Sequence, residues 1–123
     1  MKLHELFETT AMVESFLMEM ASFRPNSTGI DRVVIWMGPK QAGAAKHGPR
    51  IKVSASYTNN IQPDDLFVMT VNTNPTIVAG TPNLSSETIE DIKDWIRVNY
   101  QVLIAFWDYQ IDDEQVKQMI KKV

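Results

Sequence analysis

Apolar residues recur at helical spacing near the start of the chain: Leu3, Leu6, Phe7, Val13, Phe16, Leu17 and Met20, with Glu5, Glu8, Glu14 and Glu19 tending to fall elsewhere on the wheel. This pattern predicts an amphipathic helix over residues 3–22, ended by the turn formers at 24–29. The period then changes. Residues 32–37 form a continuous apolar, β-branched run of the kind found in central strands. Residues 50–56 alternate, with Ile51, Val53 and Ala55 on one side and Arg50, Lys52, Ser54 and Ser56 on the other. Residues 66–71 give a third strand and 76–79 a fourth. The connections are short and lack helical pattern, so the sheet should be antiparallel.

Helical period returns in the second half. Asn83, Ser85 and Ser86 supply capping side chains and Glu87 early negative charge. Ile89, Ile92, Trp95, Ile96, Asn99, Leu103, Phe106 and Trp107 then follow one broad face, which predicts a helix over 86–107 of about 33 Å. Asp94 and Arg97 should pair on its exposed side. Asp112, with Gln115 three residues on, reads as the capping box of a last short helix. The fold class that follows is α+β: one domain over 1–123, a two-layer sandwich with an N-terminal helix, an antiparallel sheet of three to four strands, a long C-terminal helix and a short terminal one.

Composition narrows the function classes. With 44% hydrophobic and 22% charged residues, the 123-residue chain is an ordinary globular protein, large enough for a core without staples. It has no cysteine, which removes disulfides, thiolate metal sites and cysteine nucleophiles. A net charge of −3 argues against indiscriminate coating of DNA or anionic membrane. No apolar run approaches the roughly 20 residues of a membrane helix, so no membrane partner is expected. The opening is broken by charge too early for a signal peptide, and the expected location is cytoplasmic.

Against this acidic background one stretch is basic. Lys40, Lys46, Arg50 and Lys52, with His47, lie within residues 40–52. A local positive cluster on a negative protein marks where an anionic partner can dock. Arg50 and Lys52 are two apart in a strand and so share a face, and Arg50 can grip a carboxylate or phosphate bidentately. The alternative is a solvated outer face whose lysines discourage edge pairing. His47 has the pKa range of an acid–base group but no neighbouring carboxylate in sequence to orient it. Asp108, Asp112, Asp113 and Glu114 cluster near the end without the glycine and ligand alternation of a calcium loop, so capping explains them. Trp36, Trp95, Phe106 and Trp107 fit core positions, whereas Tyr57, Tyr100 and Tyr109 suit part-exposed ones. No phosphate-binding glycine loop, no Ser-His-Asp set, no metal site and no cofactor motif is present.

The segment His47, Gly48, Pro49, Arg50, Ile51, Lys52, Val53, with Ile77 to Gly80, Trp95–Ile96 and the later Leu103, Ile104, Phe106 and Trp107, resembles a small prokaryotic family of domains of unknown function. That family has a His-Pro-Pro-His-x-His-Val strand opening and a helix ending in Leu-Leu-x-x-Trp. The similarity runs over residues 33–107. Arg50 and Lys52 stand where the family has its second and third histidines, so a histidine-row metal or proton-relay role does not carry over. The first seven residues also resemble openings common among tailed-phage accessory proteins.

The expected function is that of a non-enzymatic binding protein, docking on a macromolecular partner through the basic hairpin, in the role of a phage-encoded accessory or inhibitor protein. A protein partner ranks first and nucleic acid second. The alternative from another class is a small nucleic-acid-processing component of a prokaryotic defence or toxin–antitoxin system, with His47 moving protons and Lys46 and Arg50 steadying a phosphate. A homodimer through an apolar helix stripe is a third expectation.

Overall fold

The computed structural model describes residues 20–40, 48–55 and 66–123. Five antiparallel strands lie side by side in chain order: β1 (Ala21–Phe23), β2 (Val34–Met37), β3 (Arg50–Ser54), β4 (Leu66–Thr70) and β5 (Ile77–Ala79). The helices among the described residues are α1 (Pro25–Thr28), α2 (Ser86–Val98), α3 (Tyr100–Trp107) and α4 (Asp113–Met119). The α+β class and the antiparallel sheet are as expected, but among the described residues the sheet has five strands instead of three or four. The extra one is β1. Residues 21 and 22, placed at the end of the first helix by spacing alone, are strand; residues 3–19 of that expected helix lie outside the described residues.

Local chemistry explains the element ends. Pro25 starts the one-turn α1, and Gly29 ends it at φ 79 with its N–H on the Pro25 carbonyl, 2.8 Å. Arg32 then takes φ 61, so the next strand begins at Val34 and not at residue 32. Ser85 caps α2 by accepting from the Thr88 N–H, 3.2 Å. Asp112 and Gln115 form the reciprocal capping box of α4, at 2.8 and 2.9 Å. Asp94 and Arg97 pair at 3.0 Å, as their spacing predicts. Both side chains are largely exposed, so the pair contributes only a few tenths of a kcal/mol.

The long helix is two. Its ends fall at the expected residues, Ser86 and Trp107, but it breaks at Asn99, which is 1% exposed. The Asn99 side chain turns back on the chain: Nδ2 donates to the Trp95 carbonyl and to the Lys121 carbonyl, both 2.9 Å, and Oδ1 accepts from the Lys121 N–H, 2.7 Å. A carboxamide on an apolar face is tolerable in a core only when its groups are satisfied, and here the C-terminal segment satisfies them. The same segment reaches α1, where the Val123 N–H donates to the Thr28 carbonyl at 2.9 Å.

Strand alternation sends one set of side chains into the core. Ala21, Phe23, Ile35, Met37, Ile51, Val53, Phe67 and Met69 join Ile92, Trp95, Ile96, Leu103, Phe106 and Val116 in one buried cluster. The Phe23 and Trp95 rings meet at 5.3 Å and 56°. Phe106 and Trp95 are thus core as expected, whereas Trp36 and Trp107 are only half-buried. Tyr100 is half-buried and Tyr109 exposed; Tyr57 lies outside the described residues.

The β5 exit depends on Gly80. It takes φ 80, and a Cβ there would stand 2.6 Å from the Leu66 carbonyl oxygen and 2.8 Å from the Phe67 Cα. Both are backbone atoms of the neighbouring strand and cannot swing aside. Gly80→Ala should therefore cost about 2 kcal/mol, from the left-handed conformation and the displaced strand together. A lower urea midpoint at unchanged slope would show it; an unchanged midpoint would mean the β5 exit relaxes freely.

Candidate binding surface

Strand registers place the basic residues. Trp36 stands opposite Lys52, Lys52 opposite Val68, and Val68 opposite Ala79; Ser22 pairs with Trp36 at the other edge. One pleat towards the hairpin end, Arg50 stands opposite Thr70. Ser22, Trp36, Arg50, Lys52, Val68 and Thr70 point away from the core set, because side chains alternate along β1 to β4; the register shift between Val68 and Met69 leaves Ala79 out of this pattern. Arg50 and Lys52 therefore share the second face, about 7 Å apart along β3 at the usual strand rise. Lys52 is exposed and Arg50 half-buried. Among the described residues the Arg50 guanidinium has no hydrogen-bond or ion-pair partner.

Burial on this face falls along the strands. Val34 and Ser54, which pair with each other at the far end, are 1% and 0% exposed. Trp36, Val68 and Thr70 are half-buried nearer the hairpin end. The accessible part of the face is thus the end that carries the cations, with an indole and aliphatic side chains beside them. Thr70 is itself held in place, its Oγ1 accepting from the Thr76 N–H at 3.0 Å, and the Pro49 carbonyl accepts from the Val71 N–H at 2.9 Å. These bonds fix the strand end on which Arg50 sits.

Charge separates between sheet and helices. The five strands hold no Asp or Glu, and Arg50 and Lys52 are their only charged residues. Among the described residues of the second half, the carboxylates sit on the helices and their caps, among them Glu87, Glu90, Asp91 and Asp94 on α2 and Asp112, Asp113 and Glu114 at α4. Attraction for an anionic surface is accordingly local to one face.

Of the five expected contact residues, the structure brings together Arg50 and Lys52. Lys40 is exposed but stands beyond the end of β2, its backbone N–H bonded to the Trp107 carbonyl at the end of α3, 2.9 Å. Lys46 and His47 lie outside the described residues. Trp36 had every sign of a core residue in sequence, since a continuous apolar run hides which side chains face which way. Its position between Ile35 and Met37, both 0% exposed, is the signal that places it on the other face. Asp108 and the acidic residues at α4 act as caps and surface groups, and no set of three potential metal ligands converges among the described residues. No helix among them is long and apolar enough to cross a membrane. The chain matches no protein-family model, no curated protein and no solved structure.

Proposed function

We propose that this chain is a non-enzymatic binding protein whose contact surface is the hairpin end of the second sheet face. In this reading the molecule is a two-layer sandwich, with the helices on one face of the sheet and the other face offered to an acidic protein partner. The observation that carries it is the placement of Arg50 and Lys52: two cations on one face of β3, on strands that hold no carboxylate, next to the half-buried Trp36. Arg and Trp are the residue types that most often dominate interface energetics. By their charge in the sequence we assign Lys40, Lys46 and His47 to the same contact, and a phage accessory or inhibitor protein is the role such a contact suits.

A protein partner is favoured over nucleic acid on numbers. Two cations, or four with Lys40 and Lys46, fall short of the roughly six to ten phosphate contacts of a dedicated DNA binder. Arg50→Glu with Lys52→Glu should weaken binding to the acidic partner by at least about tenfold, through repulsion at the site of contact, with folding unchanged because Lys52 is exposed and Arg50 lacks a described partner. The check is affinity capture from lysate with and without nuclease, using wild type and the doubly reversed protein. A nuclease-resistant acidic protein lost on charge reversal supports the proposal. Capture that survives charge reversal, or that nuclease abolishes, removes it.

A further inference from the structure

A groove of about 510 Å³ opens where α2 gives way to α3. Four parts of the chain wall it: Thr73 of the β4–β5 turn, the last turn of α2, the first turn of α3, and Met119 with Lys121 at the C-terminal end. Asn99, between α2 and α3, is part of its wall. By clamping the Lys121 backbone, Asn99 sets the C-terminal segment beside the helix junction.

The lining has two characters. Val98 and Met119 are 55% and 48% exposed, two of the most exposed large apolar residues among those described, and Tyr100 and Val102 lie half-buried beside them. Apolar side chains gathered in a concavity, rather than scattered, point to a ligand. The polar side is cationic. Arg97 uses Nε on the Thr73 carbonyl and Nη1 on Asp94, which leaves Nη2 without a partner among the described residues. The Lys121 ammonium likewise has none. Residues 115–123 hold three lysines and no Asp or Glu.

We propose that this groove binds a small amphipathic anion, a compact aliphatic or aromatic body carrying one carboxylate or sulfonate. The body packs against Val98, Val102 and Met119, and the anionic group takes the open donors of Lys121 and Arg97. The volume lies within the roughly 300–1,000 Å³ of small-molecule sites. A bare inorganic anion would leave the apolar wall unused, and a neutral apolar ligand would leave the cations unused. The site is separate from the Arg50–Lys52 face and does not depend on the function proposed for it.

The test uses anilinonaphthalene sulfonate as the amphipathic anion and N-phenylnaphthylamine as its uncharged counterpart, with the folded full chain. The expected result is saturable binding of one sulfonate per chain, with amide shifts confined to residues 97–102 and 119–121. Lys121→Glu should weaken the sulfonate roughly tenfold and leave the uncharged probe within about twofold, because only the former uses the ammonium. Arg97→Gln gives the same split from the other rim. Absence of saturable binding, shifts centred elsewhere, or equal weakening of both probes by these variants would overturn the proposal.

Discussion

Replacing Trp95 with alanine is expected to remove about 4 kcal/mol of folding stability, the largest effect of any single change proposed for this chain. Trp95 is fully buried, packs its ring against Phe23 and joins α2 to the β1 edge of the sheet. Alanine leaves a cavity bounded by both elements. Phenylalanine should cost far less, about 1 kcal/mol. The indole Nε1–H has no hydrogen-bond partner among the described residues, so its removal returns part of what the lost ring volume takes away. Urea unfolding of both variants at constant slope reads the two values. Equal losses for alanine and phenylalanine would show that the indole N–H is satisfied and contributes to stability.

Asn99→Ala should cost about 3 kcal/mol, in a different way. It removes three hydrogen bonds and leaves the Trp95 carbonyl and the Lys121 peptide without their common partner. The loss should be local as well as global. Hydrogen exchange at Lys121 and at Val123, whose N–H is bonded to Thr28, should rise far more than exchange in β2, β3 and β4. Uniform loss of protection would mean the clamp does no more than add to overall stability. Unchanged exchange at the C-terminal segment would contradict the clamp itself.

What could be read from the sequence is what depends on near neighbours. The Ser85 cap, the Asp112–Gln115 box and the Asp94–Arg97 pair each join residues three apart, and each is present. Strands β3 and β4 announce themselves by alternation and by β-branched content. Strand β1 does not, because Ala21, Ser22 and Phe23 continue a helical spacing and become strand only by pairing with Met37, Trp36 and Ile35. The break at Asn99 also depends on a distant partner. Its signal was a polar residue on an otherwise apolar stripe, which implies a contact without saying where. In the candidate surface, the shared face of Arg50 and Lys52 follows from alternation alone, whereas the place of Trp36 beside Lys52 needs the strand register.

The central claim is that an acidic protein docks on the hairpin end of the second sheet face. A photoreactive residue in place of Lys52, compared with one in place of the exposed Glu87 on α2, tests it most directly. The account predicts that the partner is cross-linked from position 52 and not from position 87. Adducts from position 87 alone, or equally from both, would contradict it.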